Sequence, residues 1–241
     1  MATARRATVT RTLEGSDGFA YEVAFRPRKT FGISVRLDGR VLVAAPKGSS
    51  LAQVDEIVRT RSAWIRKHLK RIGDLPKPRH PVYAHGETHY YLGAPYVLDV
   101  TEHRPELVQL AEGRIEIHIG APIEPGRIQT MLAHWYRHEA QRVFTSRILV
   151  WLPLVPNPAI PFKTIRIRAM TSRWGSCTTA GAITLNLRLI QAPIDLVDYV
   201  IVHELCHLCH HNHGPGFYRL LDALMPDWRV RRHRLNQLAV W

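Results

Sequence analysis

His203, Glu204 and His207 form an HExxH pattern directly after the apolar run Tyr199, Val200, Ile201 and Val202. On a helix, residues four apart share one face, so both imidazoles can reach one metal ion while Glu204 projects beside them. A zinc ion that does chemistry needs a third protein ligand and an open fourth position. His213 is the candidate. In an unbroken helix it would lie about 15 Å along the axis from His203, pointing away from the other two. It can join them only if the helix stops after His207 and the chain folds back. Asn212 and Gly214 suit left-handed or capping backbone, and Pro215 blocks continuation. Two other donor sets share this stretch. His210 stays on the His203/His207 face if the helix runs on, and Cys206 with Cys209 makes an overlapping CxxC. A closed Cys/His structural site gives Glu204 no purpose, whereas a hydrolytic site requires a carboxylate there. An apolar lead-in also makes a His/Glu/His face costly without a partner. The favoured set is His203, His207 and His213, holding one zinc ion per chain.

HELCHL, then NH, then GPGFY (residues 203–208, 212–213 and 214–218) resembles the YgjP-like metallopeptidase family, relatives of the WLM and SprT-like zinc proteases. The segment from Ile167 to Cys177, with Arg173-Trp174-Gly175-Ser176-Cys177 at its end, resembles a second signature of that family, and ITLNLRLI from Ile183 to Ile190 a third. Weaker similarity reaches Tyr91-Leu92-Gly93 and the helix around Trp64. Phe217-Tyr218 replaces the family's usual Phe-Trp. The metzincin pattern shares the ligand spacing, but its turn glycine is His210 here, so the chain is not a metzincin. The resemblance implies a zincin-like C-terminal domain with a long helix packed behind the metal helix.

The chemistry that follows is zinc-dependent peptide hydrolysis. Zinc held by three histidines lowers the pKa of a bound water and polarises a carbonyl, and Glu204 is placed to take the water's proton and pass it to the leaving amine. The strands around Arg173 and Trp174 are the candidate edge on which an extended substrate lies. Tyr218 is either an oxyanion donor or a core tyrosine. Asn186, Asp195 and Asp198 are candidates to orient ligand histidines, with helix capping an equal account of Asp195. Cys177 reads as a small packed residue, not a nucleophile.

Residues 1–18 read as a flexible basic lead-in. Residues 19–75 read as a small antiparallel sheet with an Asp38-Gly39 hairpin, then one helix from Ser49 or Ser50 to about Ile72 with an apolar stripe that includes Trp64. Pro76, Pro78 and Pro81 make a stiff connection. Residues 76–123 form a second strand-rich part. Residues 124–241 form the zincin-like catalytic domain: a helix from Glu124 to about Trp151, strands at 165–168 and 183–186, the metal helix from Pro193 to about His210, and two short closing helices. The class is α+β, with β-rich N-terminal parts before the catalytic domain.

The chain has 241 residues, 46% of them hydrophobic, enough to bury a sizeable core. It has no apolar run of membrane-spanning length and no apolar signal-peptide core at its start, so no membrane association is expected. Three cysteines argue against a disulfide framework and fit a reducing cytoplasm. The net charge of +13 includes the cluster Arg229, Arg231, Arg232 and Arg234. It supports weak, nonspecific nucleic-acid binding through phosphates, or simply a solvated basic surface. The expected partner is a protein or peptide substrate. A different class, a metal-stabilised nucleic-acid-associated binding module with little or no hydrolysis, would keep the histidines but have no use for Glu204.

Overall fold

Alternation of apolar residues shapes the first of two units, residues 1–77 and 78–241. The structure is a computed structural model that describes residues 8–12, 18–36, 38–74, 81–156, 158–171 and 173–238. It is a mixed α+β chain with several small sheets and, among the described residues, six α-helices. In the first unit, β1 (Thr8–Thr12), β2 (Ala20–Arg26), β3 (Gly32–Val35) and β4 (Val41–Pro46) form a sheet in the order β1-β2-β4-β3. Tyr21, Val23, Val41, Val43 and Ala45 point inward from β2 and β4 onto Val54, Val58 and Ile65.

Four sequence expectations are corrected in this unit. The stretch 8–12 is a strand paired antiparallel with β2, because its alternating Thr and Val residues extend the sheet edge. The rest of the lead-in, 1–7 and 13–17, lies outside the described residues, as do Pro76 and Pro78 of the connection. The sheet is also not wholly antiparallel. β4, the most apolar of the four strands, takes an inner place and runs parallel to β2. Finally, the single helix divides into α1 (Leu51–Thr60) and α2 (Ser62–Gly73). Thr60 Oγ1 donates to the Ile57 carbonyl at 2.9 Å, and Arg61 leaves helical geometry at φ −104°, ψ 6°. Ser50 starts α1 with a reciprocal capping box to Gln53. Trp64 stays 40% exposed rather than joining the stripe.

In the second unit β5 (Thr88–Tyr91), β6 (Ala94–Glu102), β7 (Leu107–Ala111) and β8 (Arg114–Ile119) pair in the order β5-β6-β8-β7. The long helix α3 (Pro125–Trp151) follows. A three-stranded sheet of β9 (Thr164–Arg168), β10 (Gly175–Cys177) and β11 (Ala182–Asn186) has the order β10-β11-β9, so β10 lies at its edge. Helices α4 (Ile194–Cys206), α5 (Pro215–Leu224) and α6 (Trp228–Gln237) complete the chain. Leu98 and Ile117 from the first of these sheets, Leu132 and Phe144 from α3, and Ile183, Ile201 and Leu205 belong to one hydrophobic core. The strands of 81–123 and the helices after them are therefore a single packed body.

Two contacts set the position of α4. The Leu92 and Gly93 amides donate to the Ile190 and Gln191 carbonyls at 2.9 and 3.1 Å. Gly93, at φ +85°, leaves no room for a side chain, since a β-carbon there would lie 2.7 Å from Pro193 Cγ. The Tyr91-Leu92-Gly93 turn thus abuts the start of α4. From the other side, Arg147 on α3 grips Asp198 on α4 through two hydrogen bonds of 2.6 and 2.7 Å. Such a two-pronged pair fixes orientation as well as distance.

Candidate metal centre

Helix α4 is apolar almost all round, and burial of Val197, Val200, Ile201, Val202 and Leu205 carries His203 and Glu204 into the interior. The helix ends at Cys206, with His207 as its cap, earlier than the sequence suggested. The chain continues as tight turns, with the Leu208 amide on the Leu205 carbonyl and the His210 amide on the Cys206 carbonyl. Asn212 and Gly214, expected as left-handed or capping residues, have no positive φ and do not cap α4; Gly214 is extended at φ −87° and is the N-cap of α5 instead, with Pro215 at its first turn. This fold-back returns His213 to the helix.

His203, His207 and His213 converge. Their ligand atoms lie within 4.8 Å of one another, and the Nε2 atoms of His203 and His213 face each other at 3.0 Å. This is the one cluster of three metal-capable groups among the described residues. His210 does not join it: its ring packs over Gly216, while its carbonyl accepts from His207 Nδ1 at 3.1 Å. That bond puts the proton on Nδ1 and frees Nε2 to face the cluster. Cys206 is buried, its thiol pushed up to about 12 by burial, and Cys209 donates to the Pro156 carbonyl. The alternative Cys/His donor set is not assembled.

The donor chemistry fits a divalent metal. Burial, followed by the neighbouring histidines and Arg232, lowers His203 to about 3, and burial lowers His207 as well. Neutral imidazoles are the ligating form. Phe217, fully buried, touches all three rings at centroid distances of 5.0, 4.7 and 4.7 Å and forms the floor of the cluster. His203 Nδ1 is buried without a hydrogen-bond partner among the described residues, so packing of Tyr199 and Phe217 holds that ring.

Glu204 is 5% exposed, and burial raises its carboxyl to about 8 against a smaller lowering influence of Arg173. It lies against Gly175 on β10, where a β-carbon would come within 2.6 Å of Glu204 Oε1. Arg173, Trp174, Gly175, Tyr199, Val200, His203, Glu204, Arg232, Leu235 and Asn236 line a cavity of about 220 Å³. Cys177 is a packed thiol, raised to about 11 by burial and by Glu204. Tyr218 is half-buried, stacked on Trp228 at 5.6 Å and 6.3 Å from the His213 ring.

Three proposed orienting residues act elsewhere. Asn186 donates to the Met170 and Arg173 carbonyls and accepts from the Met170 and Arg188 amides, so it shapes the turn that carries Arg173 and Trp174. Asp198 is occupied by Arg147, and Asp195 by Arg234. None of the three reaches a histidine ring. Reasoning from sequence missed Phe217 as the floor, Gly175 as the space for Glu204, and Arg232 as a lining residue. The only available signal was the adjacency of Gly175 and Phe217 to motif residues.

No curated protein matches the chain. Among solved structures it is similar to the metallopeptidase zymogen of Pyrococcus abyssi, abylysin, at 18% identity and TM-score 0.35 over 38% of this chain and 90% of that one. It is similar also to the zymogen of Methanocaldococcus jannaschii jannalysin, at 23% identity and TM-score 0.32 over 40% of this chain and 93% of that one. The family model described as YgjP-like, metallopeptidase domain, matches residues 29–238, and the chain belongs to that family.

Proposed function

We propose that this protein is a zinc-dependent metallopeptidase of zincin-like build, with His203, His207 and His213 holding one zinc ion per chain and Glu204 as general base. The observation that carries the reading is the return of His213 to the His203/His207 face beside a buried Glu204. Zinc, when bound, supplies a Lewis acid for the scissile carbonyl and acidifies a water. Glu204 Oε takes the proton in the first step and returns it to the departing amine. Burial raises this carboxyl in the metal-free site, and a dication beside it would favour the ionised form that accepts the proton. Edge strand β10 offers its free side to an extended peptide, with Arg173 and Trp174 at its approach. Tyr218, beside His213, is positioned to donate to a developing oxyanion.

The substrate is a protein or peptide. No described helix is long and apolar enough to cross a membrane. The free thiols of Cys177, Cys206 and Cys209 suit a cytoplasmic setting. The nucleic-acid module is the weaker reading, because three of the four clustered arginines on α6 are engaged by acids of the same unit. The deciding experiment compares wild type with Glu204→Gln on an unfolded protein substrate. Equal metal content with loss of cleavage is expected; equal cleavage would overturn the mechanism.

A further inference from the structure

Helix α6 carries Arg229, Arg231, Arg232 and Arg234. Three of these charges are answered locally. Arg229 donates to Asp222 at 2.7 Å, Arg231 to Asp227 at 2.8 Å, and Arg234 to Asp195. Arg232 has no ion pair among the described residues. It stands four residues after Trp228 and three before Leu235, both buried, and is itself exposed, so it sits at the rim of the face that α6 packs inward. That face opens onto the cavity beside His203 and Glu204, and Arg173, also exposed and with no ion pair among the described residues, lines the same cavity. The remaining walls include Trp174, Val200 and Leu235.

Two exposed guanidinium groups at the rim of a partly apolar pocket next to the reacting centre, neither in an ion pair among the described residues and Arg173 near enough to favour the charged form of Glu204, concentrate positive potential there. Each presents a planar fork of donors that matches a carboxylate with two parallel hydrogen bonds. We propose that Arg232, with Arg173 beside it, binds a carboxylate of the peptide substrate next to the scissile bond, either an Asp or Glu side chain or the free C-terminus. This rests on the peptidase reading. The two sources share one chemistry and differ in where cleavage falls: inside a chain before or after an acidic residue, or near its end.

The test uses metal-loaded full-length protein on a proteome-derived peptide mixture, with cleavage sites read by mass spectrometry. Asp or Glu, or a free terminus, should recur at one fixed distance from the cut. Matched peptides carrying Asp against Asn, and a free against an amidated terminus, identify the source. The acid should be favoured in kcat/KM by about 10- to 100-fold, the range for hydrogen bonds to a charged group. Arg232→Gln should bring that ratio close to one, Arg232→Lys should recover part of it, and Arg229→Gln, on the same helix but outside the cavity, should leave it intact. Cleavage without acid preference, or a preference that survives Arg232→Gln, overturns the proposal and leaves the peptidase reading standing.

Absence of cleavage by wild type counts against the peptidase reading, and a binding measurement then decides the inference. The Nε–Hε NMR signals of Arg173 and Arg232, assigned with the Gln variants, should shift with N-acetyl-Gly-Asp and not with its fully amidated Asn counterpart. No shift with the acid overturns the proposal. A shift with inorganic phosphate alone overturns the assignment to a carboxylate.

Discussion

Gly175 and Glu204 share one space: a β-carbon on the first would lie 2.6 Å from Oε1, 2.8 Å from Cγ and 2.9 Å from Cδ of the second. Three contacts shorter than van der Waals distance, against a carboxylate that is only 5% exposed, force Glu204 to shift, and the cavity it lines is the space into which it would move. Gly175→Ala should therefore displace the carboxylate without touching a histidine. Metal content is expected to stay at the wild-type level. Hydrolysis is expected to fall toward that of Glu204→Gln, a loss of about 10²–10⁴-fold if general base catalysis is removed. Unchanged kcat in a folded, metal-loaded Gly175→Ala protein would show that Glu204 does not act from this position.

The proposed use of the three converging imidazoles as ligands predicts a stoichiometry. Purified protein should hold about one zinc per chain, measured by elemental analysis. His203→Ala, His207→Ala and His213→Ala should each lose it. His210→Ala should keep it, because that residue supports His207 through its backbone carbonyl, which the substitution preserves. Phe217→Ala should weaken retention while sparing every ligand, since it removes the ring that all three histidines pack upon. Metal loss from His210→Ala but not from His213→Ala would reassign the ligands.

Burial of Glu204 links the stability of the metal-free protein to pH. Its carboxyl is raised from 4.5 to about 8, so the folded state holds this proton more tightly than the unfolded chain. The stabilisation is complete below pH 4.5 and is lost as pH rises through about 8. Glu204→Gln has no such proton. Chelator-treated wild type should therefore lose Tm relative to Glu204→Gln between pH 5 and 8. A difference in Tm that is flat across this window would mean that the carboxylate is solvated when the metal is removed.

Much of this centre is visible in the sequence because its logic is local. The four-residue spacing of His203 and His207 places both on one helical turn, and Pro215 so soon after His213 forbids a single long helix. The division of the Ser50 helix at Arg61 was not visible, because it turns on which acceptor the Thr60 hydroxyl finds. The parallel β2/β4 pairing was hidden for a different reason: the Asp38-Gly39 turn fixes only its own hairpin, not which neighbour β4 takes on its other side. Asn186 and Asp198 look alike as polar residues near a motif. Only the packed structure shows one holding a turn and the other answering Arg147. Arg232 is the sharpest case, because nothing in a run of four arginines tells which one lacks an acid.

That same distinction changes what the basic surface should do with nucleic acid. A chain of net charge +13 attracts polyanions whatever its biological partner. For duplex DNA each neutralised phosphate steepens the dependence of log K on log salt by about 0.9. If all four α6 arginines contacted phosphates, changing them together to Gln would flatten the slope by nearly four times that amount. Arg229, Arg231 and Arg234 are already engaged with Asp222, Asp227 and Asp195. Releasing them for DNA would expose those carboxylates to the same phosphates, which offsets the gain. The triple change Arg229→Gln, Arg231→Gln and Arg234→Gln is therefore expected to leave the slope within about one contact's worth of wild type. It should instead lower Tm modestly, because exposed ion pairs contribute about 0–1 kcal/mol each. Fluorescence anisotropy with a labelled duplex across a salt series measures the slope. A loss near three contacts in the triple variant would make α6 a phosphate-binding helix and return weight to the nucleic-acid reading.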